Sequence, residues 1–206
     1  MQDLYSIKKE VAQMSQLALR MWQHSYQAFM EHNLDIVSSV LEDENKLNDM
    51  EKELTSALVA LHRSSSSKEE KDCSLIYADI VGDLELIGDY CKDILERVQI
   101  KIEEKLLFSE QAVSEYTGLY QKSEKALADV VNSLSQDAAG AVKEILKDQN
   151  HIDTLVDELR RKHNQRMIDG ICSPFACNMF LNILDFTAAI YYHTKKIARN
   201  LQKIKR

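Results

Sequence analysis

Helix-breaking residues are scarce in this sequence. Glycine occurs 5 times and proline once in 206 residues. Because these two residues interrupt helices, their scarcity favours long, uninterrupted helical segments. Hydrophobic residues make up 45% of the chain and charged residues 29%, which supplies enough apolar surface for a core. The composition therefore predicts a soluble, all-α, intracellular protein.

Long apolar runs are also missing. The longest stretches without charge, such as FTAAIYYHT at 186–194, fall far short of the ~20 apolar residues that a transmembrane helix needs. The first ten residues, MQDLYSIKKE, lack the apolar segment of a signal peptide. We therefore expect this chain to have no transmembrane segment and not to be exported by itself.

The chain has no excess of positive charge. Its formal net charge is −7, whereas nucleic-acid-binding proteins concentrate Lys and Arg on one face. The basic tail KKIARNLQKIKR, at 195–206, is the exception. Lys and Arg side chains are also favoured at the C-terminus of a helix. We therefore interpret this tail as the end of a helix and not as a contact with lipid or nucleic acid. No nucleic-acid partner is expected.

The four cysteines do not form a familiar metal or disulfide pattern. They stand at 73, 91, 172 and 177, unlike a CxxC zinc pair or a small disulfide scaffold. Reduced thiols are the expectation, and a zinc site would require Cys172 and Cys177 to recruit His163 or another ligand.

Catalytic motifs are absent from the sequence. It contains no Gly-rich phosphate loop and no nucleophile elbow. Asp148 and His151 form one D-x-x-H pair, whereas a ferritin-like di-iron oxidase needs two E-x-x-H pairs and two further Glu. We therefore predict that the chain is not an enzyme.

Apolar residues recur at helical spacing along almost the whole chain and predict six long helices. Ser67 and Glu70 form a capping box before the third helix. A stripe of apolar residues then follows one face of that helix, and Gly170, Ser173 and Pro174 mark the end of the fifth helix and the start of the sixth. The predicted helices cover 3–31, 34–63, 67–104, 107–136, 138–168 and 174 onwards. The stripe consists of Ile76, Ile80, Leu84, Ile87, Cys91, Ile94, Val98 and Ile102.

The sequence resembles itself at a fixed offset. A shift of 105 residues lays 35–54 over 140–159, and a shift of 103 aligns the third helix with the sixth. The aligned pairs include identical Asp and Asn residues as well as apolar ones. The pattern predicts two repeats, 1–104 and 105–206, each an up-down three-helix bundle, packed side by side.

Acidic residues line one face of the third helix, opposite its apolar stripe. Glu85 and Asp89 are one turn apart, and Glu44 belongs to a comparable polar stripe on the second helix. A solvated surface is one interpretation, since Lys92 lies on the same face. Facing carboxylates would alternatively suit magnesium, calcium, manganese or iron, and their crowding without a metal would raise some of their pKa values.

Two stretches resemble a known family. Residues 83–98, DLELIGDYCKDILERV, closely resemble the motif of PhoU-like phosphate regulators, commonly DLERIGDxAxNIAER. Residues 163–198 are similar to the end of the PhoU-like domain attached to bacterial sodium/phosphate cotransporters. The residues that fit this second pattern are His163, Arg166, Gly170, Cys172, Ser173, Phe180, Leu181, His193, Ile197 and Ala198.

The resemblance implies a non-catalytic regulatory domain of phosphate transport. It implies the cytoplasmic C-terminal domain of a sodium/phosphate cotransporter, on the cytoplasmic side of the inner membrane, packed against the membrane-embedded transporter part of the same polypeptide. A free-standing PhoU-like regulator of a phosphate importer and its sensor kinase is the alternative. A metal-binding helical bundle and a homodimer also remain open.

The family's metal-binding signature is only partly retained. Glu85 and Asp89 match it fully, Glu44 matches its first acid on the second helix, and Asn48 stands where the family has Asp. The resemblance thus implies a divalent metal (iron, manganese, magnesium or calcium) at Glu44, Glu85 and Asp89. In the second repeat the acids are nearly gone, and His193 has lost the acidic neighbour usual in the family, which makes a packed or surface histidine the expectation. The second-repeat positions are Gln149, Asp153, Ala188 and Tyr192.

Overall fold

The computed structural model describes residues 3–136, 139–147 and 151–204. These residues form seven helices and no β-strand. The helices are α1 (Leu4–Glu31), α2 (Leu34–Ser64), α3 (Lys68–Glu103), α4 (Glu110–Gln136), α5 (Ala139–Lys147), α6 (His151–Ile168) and α7 (Pro174–Lys203). The all-α prediction is confirmed. No helix in these ranges combines the length and apolarity that a bilayer span requires.

The predicted helix boundaries agree closely with those observed, except at the start of α4. α5 and α6 together cover the span predicted as one fifth helix, and residues 148–150 between them lie outside the described part of the chain. α4 begins at Glu110, three residues later than predicted, because Ser109 caps the helix by accepting a hydrogen bond from the Ala112 amide at 3.2 Å. Leu107 therefore lies in the connection, 84% exposed.

The predicted helix caps are present, except that the capping box at Ser67 is only half formed. The Ser67 side chain accepts a hydrogen bond from the Glu70 amide at 3.3 Å, but the Glu70 carboxylate accepts from Ser65 Oγ at 2.6 Å and not from the Ser67 amide. Gly170 adopts a left-handed conformation with φ of 73°, which glycine tolerates without strain. Ser173 then accepts from the Ala176 amide, and Pro174 is the first residue of α7. These local signals stop α6 and start α7 where the sequence indicated.

The core lies between helices of both predicted repeats. The central part of the α3 stripe is fully buried, and its two end residues, Ile76 and Ile102, are half-buried. α3 packs on α1 and α2 and also on α7, so it joins the two parts of the chain. Aromatic rings connect α1 to α4, where Tyr26 stacks on Tyr120 with centroids 3.7 Å apart. The division into duplicated repeats at 1–104 and 105–206 stays a prediction.

Candidate carboxylate site between α2 and α3

The Leu47 side chain of α2 packs directly against α3 at Gly88. A Cβ atom at position 88 would lie 2.2 Å from Cδ2 of Leu47 and 3.5 Å from Cε of Met21. Leu47 is fully buried, so it has little room to withdraw. Glycine at position 88 leaves room for the Leu47 side chain where the two helices meet, and its position between Glu85 and Asp89 brings these acids close to α2.

Four carboxylates from the two helices lie near one another in what we call the carboxylate cluster: Glu44, Glu51, Glu85 and Asp89. Burial raises the pKa of Glu85, and the charges of Asp89 and Glu51 raise it further. Burial also raises the pKa of Asp89, and Glu44 adds to this effect. A hydrogen bond between the Glu85 and Asp89 carboxyl groups raises the pKa of Glu85 further and lowers that of Asp89, so a proton bound by the pair is favoured on Glu85. The predicted rise in pKa is confirmed.

One member of the cluster is already neutralised by a cation. Oε1 of Glu44, a residue only 5% exposed, accepts hydrogen bonds from Lys92 Nζ and Asn48 Nδ2, each at 3.0 Å. The pKa of Lys92 is raised, chiefly by this hydrogen bond. Lys92 thus reaches across from α3 and compensates the buried charge on α2.

The cluster fits a hard divalent cation only in part. Its oxygens are the donor type that such ions prefer, and the structure brings Glu44, Glu85 and Asp89 together as predicted. However, Lys92 holds one of the oxygens, and nowhere in residues 3–136, 139–147 and 151–204 do three or more His, Cys, Asp or Glu converge as ligands for one ion. Metal binding at these three residues stays a prediction.

A second polar group, missed by the sequence reasoning, joins α3 to α7. Oδ1 of Asp83, a residue 2% exposed, accepts hydrogen bonds from His193 Nδ1 at 2.8 Å and Lys196 Nζ at 2.6 Å. The prediction of a packed His193 is confirmed, but its acid comes from α3 rather than from position 192. One sequence feature could have identified it: Asp83 lies between Ile80 and Ile87 on the apolar face of α3.

Within residues 105–136, 139–147 and 151–204, the structure brings no comparable acids together. Ala188 and Tyr192 occupy the corresponding positions on α7, and Asp153 is exposed on α6. Gln149, and Asp148 of the D-x-x-H pair, lie outside the described residues. The structure therefore gives no support to a metal cluster there.

Two of the cysteines do approach a histidine. Cys172 Sγ lies 3.7 Å from Nε2 of His163, which is 1% exposed. Arg166 Nη2 lies 3.2 Å from the other ring nitrogen and also donates to Glu115 Oε2 at 2.7 Å. Burial, followed by the Arg166 charge, lowers the pKa of His163 to about 4, so the ring is neutral at physiological pH. These thiols are not part of a convergent ligand set for a metal in the described part of the chain.

Comparison with known proteins agrees with this geometry. The sequence model of the PhoU domain family matches residues 11–98. The structure is similar to PhoU from Pseudomonas aeruginosa, with a TM-score of 0.89, 16% identity, and coverage of 98% of this chain and 96% of that one. It is also similar to the phosphate transport system regulatory protein PhoU from Streptococcus pneumoniae, with a TM-score of 0.85, 17% identity, and coverage of 98% and 94%. No curated protein sequence matches the chain.

The matched segment, 11–98, runs from α1 through most of α3 and includes the whole carboxylate cluster. The structural similarity also covers α4–α7, which the sequence model does not reach. Residues 11–98 thus match the PhoU domain family, and the chain has the fold of these PhoU structures over almost its entire length.

Proposed function

We propose that this chain is a non-catalytic regulator of phosphate transport. The observation that carries the proposal is the match of 98% of the chain to a structure described as a phosphate transport system regulatory protein. The PhoU family match at 11–98 supports the same assignment. A regulator of this kind acts by binding two conformations of its transporter with different affinities.

One end of the molecule supplies a surface for such a partner. Large apolar side chains are exposed in the α1–α2, α3–α4 and α6–α7 connections and at the helix ends that adjoin them. These connections meet at one end of the bundle, because the Phe108 ring packs against Phe29, 5.9 Å away, and Phe180, 5.2 Å away. We call this surface the apolar end. Its residues are Met30 (44% exposed), Leu34 (44%), Leu107 (84%), Ile168 (74%), Ile171 (64%) and Phe175 (54%).

The concentration of these residues favours a binding surface over chance exposure. Single exposed apolar residues are ordinary, but a group of them at one place marks a contact with another protein or a membrane. The occupant that fits is the membrane-embedded part of a phosphate transporter, since its cytoplasmic face would cover the apolar end. We propose that this part belongs to the same polypeptide, as in a sodium/phosphate cotransporter, which places the chain at the cytoplasmic side of the inner membrane.

The test is radiolabelled phosphate uptake in cells that lack the native gene product and express either the wild-type chain or variants in their full native context. Leu107→Asp and Ile171→Asp should abolish regulation, because each places a charge in the apolar end. Tyr5→Asp is the matched control. Tyr5 is 80% exposed at the start of α1, whose 28 residues separate it from the apolar end by about 40 Å. Unchanged regulation in both apolar-end variants would contradict the proposed surface.

The size of the native gene product distinguishes a domain fused to a transporter from a free-standing regulator. An antibody raised against this chain should detect a membrane-bound polypeptide considerably larger than 23.7 kDa if it is a cotransporter domain. A 23.7 kDa product that co-purifies with a separate importer would instead support a free-standing regulator. A homodimer is tested on the same preparation by light scattering.

A metal-storage bundle is supported by fewer observations. The carboxylate cluster has two acids whose pKa values are raised and one that is paired with a lysine, which is the state expected of acids that compensate their charge without a metal. Stoichiometric iron together with oxidase activity in the purified chain would favour the storage role over the regulatory one.

A further inference from the structure

Cys172 and Cys177 are brought together by the way α7 begins. Ser173 is the N-cap residue and Pro174 the first helical residue, so Cys172 precedes the cap and Cys177 is the fourth residue of the helix. Side chains at these two positions pack on each other in the hydrophobic staple that fixes the entry angle of a helix. Here both staple positions are cysteines, and each thiol influences the pKa of the other.

The two thiols have different surroundings. Cys172 is half-buried and therefore reachable from solvent, whereas Cys177 is 1% exposed. The Cys177 thiol also approaches the His163 carbonyl oxygen, at 3.9 Å. Cys172 is thus the residue that a small oxidant meets first, and Cys177 is positioned to react with it next.

His163 holds the sulfur of Cys172 through one defined ring nitrogen. The ring stacks on Phe180, with centroids 4.2 Å apart and planes 20° from parallel. Arg166 can only donate, so His163 Nδ1 accepts and the proton of the neutral ring is on Nε2, which faces Cys172 Sγ. A metal on Nε2 would require the proton on Nδ1, against the Arg166 guanidinium. This arrangement disfavours zinc and leaves a thiol that accepts a hydrogen bond.

We propose that Cys172 and Cys177 form a reversible oxidative modification site, in which a peroxide converts the two thiols into an intramolecular disulfide. The Cys172 thiolate attacks one peroxide oxygen, so that an S–O bond forms, the O–O bond breaks and the leaving hydroxide takes up a proton as water. Cys177 then attacks the Cys172 sulfenic acid, forming the S–S bond and releasing a second water. Two thiols lose two electrons, which reduce hydrogen peroxide to two waters. An external dithiol reverses the reaction by exchange.

Charge and burial set the pH dependence of this reaction. Burial raises the pKa of the Cys172 thiol, while Arg166 and the Cys177 thiol lower it. Burial and the Cys172 charge raise the pKa of Cys177. Glu115 forms an ion pair with Arg166 and so offsets part of the positive charge near the two thiols. Because the thiolate is the reactive species and a minority at neutral pH, the oxidation rate should rise about tenfold per pH unit between pH 6 and 8.

The test uses the reduced full chain, treated with hydrogen peroxide, alkylated and digested with trypsin. Both cysteines fall on one tryptic peptide, 167–195, which should lose two hydrogen atoms and regain them with dithiothreitol. Peptide 72–92 is a built-in control, since it also contains two cysteines, Cys73 and Cys91. These lie 18 residues apart on α3, about 27 Å, and cannot form a bridge.

Two variants separate the steps. Cys177→Ser should leave Cys172 as a sulfenic acid that dimedone labels, and Cys172→Ser should leave Cys177 unoxidised. The proposal is overturned if peptide 167–195 remains reduced, or if its cysteines are found only in bridges between molecules. It is equally overturned if the purified chain contains one zinc that Cys172→Ser removes. The measurement does not depend on the regulatory role proposed above, so either proposal can fail without the other.

Discussion

The close approach at Gly88 gives the sharpest stability prediction. In Gly88→Ala the new methyl group would overlap Leu47 Cδ2, at 2.2 Å. Overpacking a buried site costs about 1–3 kcal/mol. Replacing a mid-helix glycine by alanine stabilises a helix by about 0.5–1 kcal/mol, which offsets part of this. We therefore expect a net loss of about 1–2 kcal/mol, or a melting temperature lower by roughly 2–8 °C for a chain of this size.

Gly82→Ala is the matched control. Gly82 lies on the same helix, and a Cβ atom there would meet nothing within 4 Å. This variant should be more stable than the wild type by up to ~1 kcal/mol, because only the helix propensity changes. Reversible urea denaturation of both variants measures the free energy of unfolding.

A double variant tests the cause. In Leu47→Ala the obstructing methyl groups are absent, so adding Gly88→Ala should restore stability rather than reduce it further. If Gly88→Ala proves as stable as Gly82→Ala, or if its effect is unchanged in the Leu47→Ala background, the close contact between α2 and α3 is not what requires glycine.

Three further predictions concern the charged groups. Asp83→Ala should lower the free energy of unfolding by about 2–4 kcal/mol, because it leaves the buried His193 ring and the half-buried Lys196 ammonium group without their shared acceptor. His163→Gln should reduce the loss of stability on acidification. The pKa of His163 in the folded protein, about 4, lies below its value of 6.5 in the unfolded chain, so the unfolded chain binds a proton first. The stability of the wild type therefore falls as the pH drops from 6.5 towards 4, and the variant lacks this contribution. Lys92→Gln should tighten manganese binding on the order of tenfold, because it frees the Glu44 carboxylate and removes a repelling charge.

Each of these has a direct measurement. Urea denaturation of Asp83→Ala is compared with that of Asp79→Ala, in which an exposed acid is removed and little change is expected. The His163 effect is the difference in melting temperature between wild type and variant across pH 4–7, and parallel curves would contradict it. Calorimetry with manganese, after metal analysis of protein never exposed to chelator, tests the Lys92 prediction. If neither protein contains or binds a divalent cation, the metal prediction at Glu44, Glu85 and Asp89 is wrong.

Local features of the structure could be predicted well from the sequence. Ser67 and Gly170 act over a few residues through hydrogen bonds and backbone preferences, so their effects do not depend on the rest of the fold. The late start of α4 was missed because Leu107 continues the apolar pattern, although Ser109 caps the helix two residues further on. Periodicity reports which residues can face a core, and not where the backbone first becomes helical.

Contacts between distant segments could be predicted only in part. Glu85 and Asp89 were recognisable as a pair because one helix turn separates them, and the proximity of Glu44 required only that α2 and α3 be neighbours. The hydrogen bond between Asp83 and His193 joins residues 110 positions apart, and no local rule specifies such a pairing. It depends on which face of α7 packs against α3.

The sequence by itself determined that the chain is helical, where most helices begin and end, and which acids share a face, because these follow from spacing and capping along one helix. Tertiary structure alone decided how the charges are compensated. Lys92 turns to Glu44 and Asp83 to His193 because helix packing buries these acids, and a buried charge is stable only with a partner within reach.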